Sequence, residues 1–184
     1  MQSYIISEEY FENKTFFLKN KRTLQSIMKI KLIVVGKTQN KHLQALCDDY
    51  QSRIGHYLPF EYEVQPELKN TKSVSMLQQK ELEGAELLTR FKPGDYIVLL
   101  DEHGREMRSV ELADYIGKKA NSGLRRLVLV VGGPYGFSED VYKAAQEKIS
   151  LSKLTFSHQM IRLLLLEQIY RALTIIKGEP YHHE

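Results

Sequence analysis

Apolar residues along the chain form short continuous or alternating runs that predict strands. Residues 97–100 and 127–131 are unbroken apolar runs, as in strands covered on both faces of a parallel sheet, and residues 30–35 are predicted to form a further strand. Residues 60–65 alternate apolar with polar side chains, which predicts a half-exposed strand. Residues 150–156 are predicted to form the last strand.

Between these runs, apolar residues recur at the three- and four-residue spacing of amphipathic helices. The predicted helices are residues 42–54, a segment carrying Leu77, Leu82, Ala85, Leu88 and Phe91, a segment that follows Ser109 as N-cap, residues 141–148 and residues 159–177. Gly55, Gly123 and Gly178 stand where helices commonly end. The alternation predicts an α/β fold, an open and mostly parallel sheet with helices on both faces.

Residues 1–27 show neither the two-residue alternation of a strand nor the 3.6-residue spacing of a helix. We therefore expect the domain to span residues 28–184. The preceding stretch is interpreted as an extension from an upstream start or as an added arm that contacts a partner. Its acidic residues argue against a secretory signal or a transit peptide.

Composition narrows the class of protein. The 184 residues are 42% apolar and 27% charged, with a net charge of +3, which is compatible with an RNA partner without selecting one. One cysteine excludes a disulfide framework and indicates a reducing, cytoplasmic compartment. No apolar run approaches the roughly 20 residues that span a bilayer, so no membrane contact is predicted.

Ligands of open parallel sheets bind beyond the carboxyl ends of the strands. Three segments stand at or just after the ends of such runs: Leu100-Asp-Glu-His-Gly104, Val131-Gly-Gly-Pro-Tyr-Gly-Phe137, and residues 150–156 leading to His158. The glycines permit close backbone approach to a ligand. They lack the G-x-G-x-x-G spacing and the ribose-binding acid of a dinucleotide site, which disfavours an NAD-type oxidoreductase.

Several other residues have two interpretations. Asp101, Glu102 and His103 are either an acid, base and ligand set or, more commonly, solvated and capping groups. Cys47 is interpreted as a packing residue. His158, His182 and His183 lack regular ligand spacing, so no metal is predicted.

The tail Glu179-Pro-Tyr-His-His-Glu184 follows a helix that should stop at Gly178. It is either a frayed end or a set of groups that stack on a base and hydrogen-bond to it.

Four segments together resemble a known family. They are Val131-Gly-Gly-Pro-Tyr-Gly-Phe137, Ser150-Leu-Ser-Lys-Leu-Thr-Phe156, His158-Gln-Met-Ile-Arg-Leu-Leu-Leu-Leu-Glu-Gln-Ile-Tyr-Arg-Ala172 and Pro180-Tyr-His-His-Glu184. In order and spacing they are similar to the bacterial ribosomal RNA large subunit methyltransferase H family, of the SPOUT class. The resemblance covers residues 28–184.

The resemblance implies a deep C-terminal trefoil knot, which chain-tracing rules alone would discard. It implies S-adenosylmethionine as methyl donor, with S-adenosylhomocysteine as product. The implied acceptor is N3 of a pseudouridine in a hairpin loop of 23S ribosomal RNA, presented by the assembled ribosome.

The same resemblance implies that eight residues hold the donor: Leu100, Gly132, Leu151, Ser152, Lys153, Leu154, Thr155 and Phe156. The family works as homodimers whose tail reaches the partner's donor site. Tyr181, His182 and Glu184 match that tail, whereas His183 stands where many members have arginine. A neutral histidine supplies that positive charge only partly at pH 7.

Most of the candidate catalytic residues lie in the tail. His182 is the first candidate for accepting the N3 proton and Glu184 the second, while Tyr181 is expected to stack on the base. Arg162 is a further candidate, with an ion pair as the equal alternative. Lys118, Lys119, Arg125 and Arg126 form the densest basic cluster and are predicted to contact phosphates.

Two other functions stay open on the sequence. One is a SPOUT methyltransferase that acts on another RNA, such as transfer RNA. The other is a ribosome-binding knotted protein without catalysis.

Overall fold

The computed structural model describes residues 28–68 and 73–182. The predicted extension at residues 1–27 lies outside them, as do His183 and Glu184. The strands are β1 (Lys29–Val35), β2 (Phe60–Gln65), β3 (Asp95–Glu106), β4 (Arg126–Val131) and β5 (Glu147–Ser150). The helices are α1 (Lys41–Gly55), α2 (Met76–Leu88), α3 (Ser109–Asn121), α4 (Glu139–Ala144) and α5 (Met160–Lys177).

The strands form one five-stranded sheet in the order β2-β1-β4-β3-β5, and every recorded pairing is parallel. Helices α1, α3 and α5 pack together on one face, while α2 packs against α4 on the other. The predicted open parallel sheet with helices on both faces is therefore confirmed.

Two apolar cores lie on the two faces of the sheet. The larger contains alternate residues of β1 and β4 together with the apolar side of α5, including Leu165, Leu166 and Ile169. The smaller is closed by Leu87, Phe137 and Val141. Strands buried on both faces explain the unbroken apolar runs of the sequence.

The bounds of β1, β2, β4 and α5 agree with the predictions to within a residue. Helix α5 ends at Gly178, whose φ of 69° is the left-handed conformation that glycine accommodates without strain. Gly123 likewise follows α3 with a φ of 78°.

Two predicted helix ends are wrong by one residue. Gly55 belongs to α1, and His56 caps the helix through its N–H. At the start of α3 the N-cap is Arg108, whose N–H donates to the Glu111 carboxylate. The hydroxyl of Ser109 instead donates to Gln168 Oε1 of α5 at 2.8 Å, so it joins two helices.

Helix α2 buries only part of the side that its apolar spacing predicts, since Leu88 and the following Phe91 pack against the smaller core. Leu77 and Leu82 are exposed, whereas Glu83, Gly84 and Leu87 are buried. A Cβ on Gly84 would lie 2.1 Å from Ser138 Oγ, so the missing side chain allows α2 to approach closely. The close approach of α2 to Ser138 at Gly84 therefore turns the buried side of the helix away from Leu77 and Leu82.

Strand β3 is longer than the predicted residues 97–100 and is interrupted. Leu100 and Arg105 both pair with Ile149 of β5, so residues 101–104 leave the sheet as an outward excursion. Gly104 is needed there because a Cβ would lie 2.4 Å from the carbonyl carbon of Ile149. The predicted loop is thus an excursion within a strand.

The predicted helix 141–148 and strand 150–156 are both wrong. Helix α4 ends at Ala144, and β5 occupies Glu147–Ser150. Gln146 donates its N–H to Ile97 O at 2.9 Å, while its side-chain oxygen accepts from Ile97 N–H at 2.6 Å. These long-range bonds recruit the segment into the sheet, and residues 151–158 become a loop.

Gly104→Ala should destabilise the protein by about 1–3 kcal/mol, the usual cost of forcing a methyl group into packed structure. The measurement is the free energy of unfolding in urea. Gly117→Ala in α3 is the matched control, since its Cβ would meet nothing within 4 Å. That control should be stabilised by about 0.5–1 kcal/mol. Equal stability of Gly104→Ala and wild type would contradict the close approach.

Candidate active site

A cavity of about 630 Å³ lies beyond the carboxyl ends of β3, β4 and β5. Its volume is typical of small-molecule sites. Three segments supply its walls: the excursion of β3, the glycine turn after β4, and the loop after β5. The lining is completed by Tyr142 of α4 and Ile161 of α5.

The cavity brings together seven of the eight residues predicted to hold the donor. They are Leu100, Gly132, Leu151, Ser152, Leu154, Thr155 and Phe156. The eighth, Lys153, is exposed and is not part of the lining. Of the other candidates after strands, Asp101, Glu102, His103 and His158 also line the cavity.

The glycine turn has little room behind it. The Gly136 N–H donates to Gly133 O at 3.2 Å, and Gly136 has a φ of 76°. A Cβ on Gly132 would lie 3.1 Å from the buried Phe137 ring. The glycine turn therefore packs directly on the Phe137 ring, and the absence of side chains leaves space in the cavity in front of it.

Glu83 of α2 is a buried carboxylate directly behind this turn. Its Oε1 accepts from Gln79 Nε2 at 2.8 Å, while Oε2 is buried without a hydrogen-bond partner among the described residues. A Cβ on Gly133 would lie 2.4 Å from Oε2. Burial, followed by the nearby Glu67, raises the pKa of Glu83 because the charged form loses water.

The excursion of β3 forms the opposite wall. Asp101 Oδ1 accepts from the His103 N–H at 2.8 Å, and Oδ2 accepts from the Tyr142 hydroxyl at 2.5 Å. Burial and this hydrogen bond raise the pKa of Tyr142 well above its usual value. The hydroxyl therefore keeps its proton and acts as a donor.

The loop after β5 is folded by its own serines. Ser150 Oγ donates to Ser152 O at 2.9 Å, and Ser152 Oγ accepts from the Leu154 N–H at 2.9 Å. Leu154 and Phe156 are among the exposed large apolar residues. The loop thus lines the cavity in a conformation held by its own hydrogen bonds and leaves two apolar side chains exposed.

Arg162 lies behind the cavity wall, fully buried in α5. Its guanidinium donates to Val35 O at 2.6 Å and to Thr38 Oγ1 at 3.0 Å. Burial lowers its pKa. These bonds tie the start of α5 to the end of β1, so within this chain Arg162 is placed as a structural anchor.

The described part of the tail lies against α1 and α5, away from the cavity of its own chain. The Tyr181 ring packs edge-on against Tyr170 with centroids 4.8 Å apart. Its hydroxyl donates to Glu167 Oε1 at 3.2 Å. His182 is half-buried, and its Nδ1 has no hydrogen-bond partner among the described residues.

Most of the predicted basic cluster is committed to ion pairs at the opposite end of the sheet. Lys118 pairs with Asp114, Lys119 with Glu147 and Arg126 with Asp95. Arg126 begins β4, so it lies at the amino ends of the strands. The prediction of phosphate contacts by this cluster has no support in its geometry.

The structure also bears on Cys47, on a metal site and on a membrane span. Cys47 is fully buried in the larger core, as its interpretation as a packing residue requires. Within residues 28–68 and 73–182, no three His, Cys, Asp or Glu residues are grouped to hold a metal. No helix of that same part is long and apolar enough to cross a membrane.

Sequence reasoning did not identify Glu83 or Tyr142. Both stand on helices with ordinary polar surroundings in sequence. The one available signal was that Tyr142 belongs to the predicted helix that directly follows the glycine turn.

A family profile described as "Predicted SPOUT methyltransferase" matches residues 28–182. The parallel sheet and its cavity are accordingly those of a SPOUT methyltransferase, a class whose membership implies the knot and a methyl donor. Proteins named "Ribosomal RNA large subunit methyltransferase H" are similar over 157 residues, which is 85% of this chain and 100% of each relative. Those of Bacteroides thetaiotaomicron, Parabacteroides distasonis and Flavobacterium psychrophilum are 61%, 59% and 54% identical. The chain belongs to this family of SPOUT methyltransferases.

Glu83→Gln should change how stability depends on pH. A raised carboxyl pKa makes the folded state hold its proton more tightly, so this group's contribution is full below pH 4.5 and is lost as pH rises through the raised pKa. Each unit of the shift corresponds to about 1.4 kcal/mol. The glutamine variant should lose this dependence and be more stable than wild type at pH values above the raised pKa.

Urea unfolding from pH 4 to pH 8 measures this effect. Glu81→Gln, an exposed position on the same helix, is the control and should leave the wild-type profile in place. Parallel profiles for wild type and Glu83→Gln would show that Glu83 is ionised at no cost.

Proposed function

We propose that this protein transfers a methyl group from S-adenosylmethionine to N3 of a pseudouridine in a hairpin loop of large-subunit ribosomal RNA, on the assembled ribosome. The observation that carries the proposal is the cavity. It collects the glycine turn and the loop after β5, two of the segments by which the sequence resembles the family. The relatives named for this activity support the RNA class.

The residues present fit the donor. Adenine and ribose need a narrow cleft with backbone polar groups, and the Gly132 turn and the serine-folded loop provide backbone at the cavity wall. Leu100, Leu151 and Ile149 add apolar surface. The carboxylates of Asp101 and Glu102 on the same cavity suit a ligand that carries positive charge.

When bound, S-adenosylmethionine supplies a methyl group already activated by its sulfonium. The work left to the protein is to align the base nitrogen with that methyl group, about 3–3.5 Å away. The imino nitrogen must also lose a proton, for which His182 is the first candidate and Glu184 the second. Tyr181 would stack on the extruded base.

Positive charge at the cavity end of the sheet suits an RNA partner. Lys37 and Lys41 follow β1, Lys153 follows β5 and Arg105 closes the excursion of β3; all four are exposed. None forms an ion pair with any residue of the described part of the chain, in contrast to most of the basic cluster at the amino ends. We expect phosphate contacts at this end instead.

The position of the tail and the exposed rim of the cavity support a homodimer. Tyr181 and His182 are held on the surface of α1 and α5, so they would serve the partner's cavity rather than their own. Tyr135, Leu154 and Phe156 leave apolar surface at the cavity rim that a second subunit would cover. Arg162 would act as a positioning residue, since it holds the start of α5 against β1.

The methyltransferase domain is proposed to be residues 28–184, with residues 1–27 as an extension outside it. The family profile and the relatives cover the same part of the chain. Ribosomal RNA as substrate would place the protein in the bacterial cytoplasm.

Incubation of the protein with purified ribosomes and donor labelled in its methyl group should label large-subunit RNA at one pseudouridine, located by mass spectrometry of nuclease digests. Gly132→Val should abolish this labelling, because even a Cβ there lies 3.1 Å from Phe137 and the larger side chain must displace the turn. Gly117→Val in α3 is the control and should keep wild-type labelling.

The outcomes separate the functions. Label in transfer RNA instead would assign another RNA substrate. Ribosome binding without any transfer would leave a non-catalytic protein, and both results would contradict the proposal.

Deletion of residues 181–184 should abolish methyl transfer while leaving donor binding within about twofold of wild type. Because the tail is proposed to act in the partner's cavity, mixing this deletion with Gly132→Val should restore transfer. Random exchange of subunits leaves one intact site in each mixed dimer, which corresponds to about a quarter of wild-type turnover. No recovery after demonstrated subunit exchange would show that the tail does not act in the partner's cavity.

A further inference from the structure

Tyr142 joins two walls of the cavity that are far apart in sequence. Its hydroxyl donates to Asp101 Oδ2 at 2.5 Å across 41 residues of chain, and both residues line the cavity. Its ring meets Phe137 edge-on, with centroids 5.9 Å apart. Phe137 is the residue against which Gly132 packs. One side chain therefore contacts the excursion of β3 and the support of the glycine turn.

The excursion has few other restraints at its tip. Glu102 and His103 are exposed, and their mutual contact stays within the excursion. At the far side Gly104 is packed on the Ile149 backbone. Among the side-chain hydrogen bonds of the described residues, the one from Tyr142 is what ties the excursion to another element.

Asp101 is the point where the restraints meet. Its Oδ1 accepts the His103 N–H at 2.8 Å, which closes a turn within the excursion, and its Oδ2 accepts the Tyr142 hydroxyl. Both carboxylate oxygens are thereby used by the protein. The Lys148 ammonium, 5.3 Å from the centre of the Tyr142 ring, adds a contact on its face.

We propose that Tyr142 and Asp101 are positioning residues for the methyl donor. Their hydrogen bond sets the separation of the Leu100 wall from the Gly132 turn before the donor enters. A wall that is ordered in advance reduces the ordering that the ligand must bring about on binding. This inference rests on the proposed function, because it assumes that the cavity binds S-adenosylmethionine.

Tyr142→Phe removes the hydroxyl and keeps the ring against Phe137 and Lys148. We expect about tenfold weaker binding of S-adenosylmethionine in a calorimetric titration, the scale of one hydrogen bond to a charged group. With ribosomes as acceptor, the KM for the donor should rise by a similar factor while kcat at saturating donor stays near wild type. A variant that only lost fold stability would not raise the KM for the donor while kcat stays near its wild-type value.

Tyr96→Phe is the matched control. Its hydroxyl also bonds a carboxylate, that of Glu147, and it lies on β3 near the amino end of that strand, away from the cavity. Both variants should lose a similar amount of thermal stability. Only Tyr142→Phe should bind the donor more weakly.

Asp101→Ala provides a second test of the same restraint. It removes both acceptor oxygens, so the His103 and Tyr142 bonds are both lost, and donor binding should again weaken. The double variant should bind about as well as the weaker single variant, since both break one restraint. Additive losses would assign Asp101 a direct donor contact instead.

The outcomes are distinguishable from failure of the proposed function. If the wild-type protein does not bind S-adenosylmethionine, the proposed function fails. If it binds and Tyr142→Phe binds equally well, the positioning role is overturned. If Tyr142→Phe does not fold, the titration of Asp101→Ala decides, with wild-type affinity as the contrary result.

Discussion

The cavity depends on a break in register between two strands. Ile149 of β5 pairs with both Leu100 and Arg105 of β3, and the residues between them are expelled from the sheet. Gly104 makes this possible, since no side chain fits between it and the Ile149 backbone. A regular ladder would have carried β3 past β5 without a wall. The break therefore converts the edge of a parallel sheet into one side of a binding cleft.

Behind the cleft, buried polar groups determine how its loops sit. Arg162 bonds to the last carbonyl of β1, and Glu83 stands behind the glycine turn. Buried charged groups are costly unless hydrogen-bonded, and each of these two retains an unpartnered atom among the described residues. The cleft is thus backed by buried groups on the side of the sheet, while Leu154 and Phe156 are exposed at its rim. That division suits a site in which the rim is completed by a second subunit and by RNA.

The two ends of the sheet carry charge differently. At the amino ends, Lys29, Lys31 and Arg126 are neutralised by carboxylates of neighbouring strands. Lys37 and Lys153, at the carboxyl ends, are exposed without such partners among the described residues. Clustering in sequence pointed to cations that serve the fold, since Lys118, Lys119 and Arg126 of the predicted cluster are paired with carboxylates. These paired cations therefore lie at the amino ends of the parallel strands, and the two without partners among the described residues lie at the carboxyl ends, the end of the sheet that holds the cavity.

The sequence by itself determined the α/β class and the elements with continuous apolar runs, because burial on both faces is a local property. Seven residues of the cleft came from the resemblance of its segments to the family. It misassigned residues 141–156, since β5 has no apolar run and exists through the bonds of Gln146 to Ile97. The tertiary structure alone decided the buried side of α2, the burial of Arg162 and the pairing of Tyr142 with Asp101. These depend on close approach between segments distant in the chain, which no local pattern records.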